Sequence, residues 1–198
     1  FFKDILVVGL TGSISTVATN LTIAISIALV GAVGAAAIAG YGIASRLEYP
    51  MVPLVFGLGA PLVAMVGTCI GAGERERALR AAAIGASLAF AMTEAVGLWA
   101  ALFPHVWLRL FSHDAQMLDA GTLYLRTVGP FYGFFGLGLV LYFASQGAGR
   151  LKWPVIGNLV RLCVAGLGGW LALRASDSLA GVFVAQAVAL LLYGLTNA

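Results

Sequence analysis

Apolar residues fill six long stretches of this chain, approximately Ile5 to Val30, Ala36 to Ile70, Ala78 to Phe103, Thr122 to Ala144, Trp153 to Leu173 and Leu179 to Leu195. The residues between them are few, Gly-rich and often charged. Each stretch reaches or nearly reaches the ~20 residues that a helix needs to cross a bilayer, and the second is long enough to require tilt or an interfacial extension. The pattern predicts an all-α membrane protein of six antiparallel transmembrane helices. One substantial connection, Pro104 to about Gly121, carries Trp107, Leu108, Leu110 and Phe111 as an interfacial segment. Asp114 is placed there to cap a helix beginning at Ala115. The GAG triplets at Gly71 to Gly73 and Gly147 to Gly149 have no preceding strand and no following GK[ST], so they are not phosphate loops. They predict helix ends with φ > 0 and tight turns.

Composition strengthens this picture. Hydrophobic residues make up 61% and charged residues 10% of the 198, against roughly 25% charged in a soluble domain, and the mean hydropathy is +1.00. The net charge of +3 arises from basic residues scattered singly at segment ends, with no stripe or motif that would serve nucleic acid. Lys3, Arg75, Arg77, Arg80, Arg150 and Lys152 fall on one side of the predicted topology, and Arg109, Arg126 and Arg174 on the other. By the positive-inside rule the first side, with both termini, is cytoplasmic.

Little suggests reaction chemistry. His105 and His113 lack a ligand-forming partner at metal spacing and read as surface residues, so no metal and no cofactor are expected. No His, Asp or Ser cluster has the spacing an enzyme would need. Cys69 and Cys163 lie in apolar runs without a CxxC pattern and are expected to be buried free thiols. The chain opens at Phe1 directly on a spanning segment, from which a piece of a longer protein is expected.

Polar side chains inside the spans are the informative ones. On the first span Thr11, Ser15, Thr19, Thr22 and Ser26 fall within an arc of about 80°, with Ser13 and Asn20 farther round. Such a row either bonds back to its own helix carbonyls and packs closely, or lines an aqueous cavity. On the fourth span Tyr132, Phe135, Leu139, Tyr142 and Gln146 share a face that either packs in a core or attracts organic cations. Pro130, with Gly129, Gly133, Gly136 and Gly138, predicts a bend in that helix. The third span shows small residues at four-residue intervals, Ala81, Gly85, Ala89, Thr93 and Gly97, a pattern for close helix packing. A charge near the bilayer centre costs about 2.5 to 3.5 kcal/mol on insertion scales. Arg46, Glu48, Glu94 and Arg161 are therefore either paired structural groups or contacts for substrate or proton. Arg46 and Glu48, two positions apart, point to nearly opposite sides of a regular helix.

The order of these features resembles a known family. The run Leu29 to Glu48, LVGAVGAAAIAGYGIASRLE, and the run Gly57 to Ala83, GLGAPLVAMVGTCIGAGERERALRAAA, resemble the C-terminal half of multidrug and toxic compound extrusion (MATE) transporters. FPHVWLRLFSHDAQMLDAGTLYLR, from Phe103, is similar to that family's outer loop and the start of its tenth helix, and ASQGAGRLKWP, from Ala144, to the inner turn that follows. The resemblance implies that residues 1–198 are helices seven to twelve, one lobe of a twelve-helix antiporter whose N-terminal lobe is absent here. It implies a secondary active exporter of amphipathic or cationic small molecules, with proton or sodium as coupling ion, in a bacterial inner membrane. A lipid-linked oligosaccharide flippase of the same superfamily and a non-catalytic structural membrane subunit are the alternatives.

The expected substrate contacts are Ser15, Thr19, Asn20, Thr22, Arg46, Glu48, Tyr132, Phe135, Tyr142 and Gln146, with Glu94 and Arg161 as candidates for ion or proton coupling. Sodium-coupled members carry carboxylates at positions matching about Thr19 and Phe135. Neither residue is acidic here, which shifts the expected coupling carboxylate to the N-terminal lobe.

Overall fold

The structure, a computed structural model, describes residues 2–176 and 178–198, apart from the side chains of residues 2–8, 11 and 176. Lys3 and Thr11, both used in the sequence reading, therefore have side chains outside the described set. The described elements are all helical, and six spans are long and apolar enough to cross a membrane. Four of the six are interrupted or extended in ways that matter for the site.

The first span, α1 (Phe2–Val33), is continuous. The second is two helices, α2 (Ala35–Ser45) and α3 (Glu48–Gly71), so its length is absorbed by a break where tilt or an interfacial extension was expected. Pro50 has no N–H to give to the Arg46 carbonyl, and Tyr49 N bonds that carbonyl instead at 3.2 Å, tightening the chain into a turn. The third span, α4 (Arg75–Leu102), leads into the short outer helix α5 (Pro104–Leu108).

The fourth span starts at the predicted cap. Asp114 accepts the Met117 N–H at 3.0 Å and opens α6 (Ala115–Val128), a 3₁₀ turn spans Gly129–Phe131 at Pro130, and α7 (Tyr132–Gly147) completes the crossing. The fifth is α8 (Lys152–Cys163), a π-helical turn (Val164–Gly168) and α9 (Gly169–Ser176), and the last is α10 (Leu179–Asn197). The GAG turns close as predicted, with Gly73 at φ 79° and Gly149 at φ 67°, values that residues with a Cβ rarely adopt.

Small residues set the helix spacing. An added Cβ on Gly97 would run into the Gly129 carbonyl, and one on Gly136 into the Thr93 hydroxyl, so α4 and the α6–α7 span touch backbone to backbone. An aromatic trio, Tyr41, Tyr124 and Phe183, joins α2, α6 and α10, with ring centroids 5.0 to 6.1 Å apart. The outer loop is tied to the break in the second span. Trp107 Nε1 donates to the Ile43 carbonyl at 3.1 Å, one of the carbonyls freed where α2 ends.

Many large apolar side chains face outward, among them Leu79, Leu102 and Leu110 at about 70% exposure. That arrangement suits acyl chains as solvent and would be unstable in water. Cys163 belongs to this outer surface and Cys69 is half-buried, correcting the expectation of two buried thiols. In a bilayer an apolar run is satisfied by lipid as well as by a core, so hydrophobic sequence alone does not imply burial in protein.

Candidate functional site

A cavity of about 440 Å³ opens on one face of the lobe. The polar row of α1 forms one wall through Ser15, Thr16, Thr19 and Asn20, and α7 forms another through Phe135, Leu139, Tyr142, Phe143 and Gln146. Val52 and Phe56 of α3, Asn158 and Arg161 of α8 and Tyr193 of α10 complete it.

The α1 row bonds back to its own helix and also borders the cavity. Thr19 Oγ1 shares its proton between the Ser15 carbonyl at 3.0 Å and Asn158 Oδ1 at 3.3 Å, so the same hydroxyl back-bonds and ties α1 to α8. Asn20 Nδ2 donates to the Thr16 carbonyl at 2.9 Å. Thr22 and Ser26 stand deeper and line a second space of about 40 Å³ with Tyr41, Glu48, Gln186 and Arg161. Thr22 back-bonds to the Ala18 carbonyl at 2.8 Å. Ser15 Oγ is buried with no hydrogen-bond partner, as is Gln186 Nε2.

Arg161 lines both spaces. Its Cζ lies 5.8 Å from the Phe135 ring centroid and 5.5 Å from that of Tyr193. These ring faces hold the guanidinium without neutralising it.

Four expected site residues stand outside the larger cavity besides Thr22. Arg46 is exposed near the outer loop, its Cζ 5.7 Å from the Phe111 ring centroid. Glu48 opens α3 and accepts the Tyr124 hydroxyl at 2.5 Å and the Tyr132 hydroxyl at 3.4 Å. Arg46 and Glu48 thus diverge, though they flank the break between α2 and α3 and do not share one regular helix. Tyr132 shares an angular face with Phe135 but is fully buried. It sits about one turn nearer the outer end, where Glu48 binds its hydroxyl and α4 packs against its Cβ at Gly97. Angular periodicity gives no depth along the helix. Glu94 lies away from the cavity and accepts the Gly133 N–H at 2.7 Å.

Sequence reasoning missed Thr16, Val52, Phe56, Phe143, Asn158 and Tyr193 as cavity residues. Gln186 and Tyr193, two turns apart in an otherwise apolar final span, were the available signal for α10. Phe56 and Phe143, edge to face at 4.8 Å, sit in runs whose apolar character hides them.

The MatE family model matches residues 13–171. The chain belongs to the MatE family. It is 26% identical over 165 residues to a probable multidrug resistance protein NorM of Thermotoga maritima, covering 83% of this chain and 36% of that protein. It is 25% identical over 177 residues to an FAD transporter of Shewanella oneidensis, covering 87% of this chain and 38% of that protein. The chain thus spans a little over a third of the length of these curated relatives.

Among solved structures it resembles the MATE transporter ClbM in complex with Rb⁺, at TM-score 0.91 and 19% identity, over 99% of this chain and 46% of that one. An outward-facing multidrug resistance MATE family transporter superposes at TM-score 0.86 and 14% identity, over 98% and 44%. These likenesses concern the fold. Residues 2–176 and 178–198 form one lobe of MATE type, an integral membrane protein of a family of transporters and not of enzymes.

Proposed function

We propose that this MatE lobe is helices seven to twelve of a secondary active exporter and that an N-terminal lobe closes the cavity from the other side. Substrate is an amphipathic organic solute held against the α1 and α7 walls. The names of the two relatives, one a multidrug resistance protein and one an FAD transporter, share that description. Rocking of the lobe, with bending at Pro130, alternates access between the two membrane faces, as in repeat-built carriers generally. Proton or sodium entry drives export. With Thr19 and Phe135 at the positions where the resemblance puts sodium carboxylates, the coupling carboxylate belongs to the partner lobe. The membrane is a bacterial inner membrane, with both termini on the cytoplasmic side.

The observation that carries this reading is the cavity itself, with five aromatic rings and a row of hydroxyls and amides on one exposed face. A small-molecule site has this make-up, an apolar lining with few placed polar groups. The test is ion-driven efflux in proteoliposomes holding the complete transporter. Leu139→Trp, which fills the cavity from α7, is expected to abolish export at normal expression. Undiminished export in that variant would rule out this wall as the substrate path.

A further inference from the structure

The cavity carries one charged side chain among the described residues, and it is a cation. Arg161 makes no ion pair and no side-chain hydrogen bond with any described residue; its recorded partners are the two ring faces of Phe135 and Tyr193. Glu48 borders the same small space but makes no ion pair with Arg161; its Oε1 accepts the hydroxyls of Tyr124 and Tyr132 instead. A guanidinium offers five N–H donors and no acceptor. Left unpaired at membrane depth, it costs several kcal/mol.

A second, independent observation points the same way. Ser15 lines the cavity at 5% exposure, and its Oγ is buried with no hydrogen-bond partner. Thr16 and Thr19 spend their protons on α1 carbonyls or on Asn158, and Asn20 spends one of its two amide protons on the Thr16 carbonyl. Besides Arg161, the uncommitted donors around this cavity are the Ser15 hydroxyl, the exposed amide of Gln146, the second amide N–H of Asn20 and the hydroxyls of Tyr142 and Tyr193. A cavity with a fixed positive charge, an unused hydroxyl and no carboxylate is built to receive negative charge.

We propose that Arg161 anchors an anionic group, a carboxylate or phosphate, on an aromatic solute, so that this lobe selects flat organic anions over organic cations. The ring faces of Phe135 and Tyr193 hold the guanidinium in place, and Phe56 and Tyr142 offer apolar surface to the body of the solute. The inference rests on the cavity being the substrate site, and it reverses the charge that the sequence reading expected.

Two dyes with one xanthene skeleton and opposite charge separate the cases: fluorescein, a dianion, and tetramethylrhodamine methyl ester, a cation. Binding to the complete transporter in detergent is read by fluorescence polarisation. The native protein is expected to bind fluorescein about tenfold or more tightly than the rhodamine. Arg161→Gln is expected to erase that preference, and Arg161→Lys to keep part of it, since charge survives while the planar fork does not. Equal or tighter rhodamine binding by the native protein would overturn the proposal without any variant being needed. Arg161→Gln that lowers thermal stability but leaves dye preference unchanged would also overturn it, assigning the guanidinium to a carboxylate of the partner lobe. Displacement of fluorescein by phosphatidylglycerol at equal concentration would overturn it in favour of a lipid headgroup.

Leu139→Trp separates the two layers of the argument. If it blocks both dyes and the cation is preferred, the charge assignment fails while the site stands. If it affects neither dye, the site itself fails and the charge assignment with it.

Discussion

Glu94 on α4 accepts the backbone N–H of Gly133 on α7 through Oε2 at 2.7 Å. Pro130 breaks the fourth span into a 3₁₀ turn, and the Gly129 carbonyl is taken by the Tyr132 N–H, so the amide at Gly133 lies in an unpaired first helical turn. At membrane depth no water is at hand for such a donor. A carboxylate from the neighbouring helix supplies the acceptor and places negative charge at the positive end of α7. The proline that allows the span to bend is thus matched by an acid that holds the bend.

Substitution at Glu94 separates capping from coupling. Glu94→Gln keeps an acceptor and is expected to retain ion-driven transport with a small fall in Tm. Glu94→Ala leaves the Gly133 donor unsatisfied, a loss of about 1 to 3 kcal/mol, readable as a larger fall in Tm in detergent. Loss of pH-driven transport in the Gln variant at unchanged Tm would instead assign Glu94 to proton coupling.

The contact between α4 and the broken span makes a second prediction. The Gly129 carbonyl occupies the space that a Cβ on Gly97 would need, and the Tyr132 Cβ lies 2.9 Å from that point. Backbone cannot swing aside as a side chain does. Gly97→Ala is expected to destabilise the lobe by about 1 to 3 kcal/mol, while Gly57→Ala, where nothing lies within 4 Å, is expected to leave Tm nearly unchanged. Equal Tm for the two variants would show that the helices are not in backbone contact.

How much of this was legible in the sequence depended on which interaction carried it. Spans follow from composition and length, caps from Asp114, and turns from Gly73 and Gly149, because each is a local property of a few residues. The break at Arg46–Leu47 was signalled by Pro50, whose missing donor is present in the sequence but was not used to place the ends of the second span. Of the expected cavity residues, Ser15, Thr19, Asn20, Phe135, Tyr142 and Gln146 line one space, since a helical face is set by periodicity. Tyr132 left that set because depth along a helix is fixed by what the partner helices supply, here Glu48. The π-helical turn at Val164–Gly168 lies where α8 and α9 pack against α10, a contact that no window of sequence contains.

Aromatic residues of the fourth span should separate by depth. Phe135→Ala and Tyr142→Ala remove cavity wall and are expected to weaken substrate binding several-fold with modest loss of stability. Tyr132→Ala removes a fully buried ring and a hydroxyl that binds Glu48. Truncation of a buried aromatic costs about 3 to 5 kcal/mol, so this variant is expected to fail at the level of folded yield. Tyr132→Phe keeps the ring and is expected to bind substrate normally. If Tyr132→Phe weakened binding as much as Phe135→Ala, Tyr132 would have to reach the substrate in another state of the transporter.

Sidedness gives the last prediction. The end of α7 packs against α3, where a Cβ on Gly147 would meet the Val63 carbonyl at 2.5 Å, so the turns at Gly73 and Gly149 share one side of the membrane. Arg75, Arg77 and Arg80 follow one turn, and Arg150 and Lys152 follow the other. Arg77 and Arg80 pair with Glu74 and Glu76 at 3.1 and 2.9 Å, but the positive-inside bias depends on Lys and Arg and little on acids. His113, exposed between α5 and α6, lies at the other end of the bundle. In a background with Cys69 and Cys163 replaced by Ala, His113→Cys is expected to react with a membrane-impermeant maleimide added to spheroplasts. Arg150→Cys is expected to react only after the membrane is opened. The reverse pattern would invert the topology and place the cavity's polar row on a path of opposite direction.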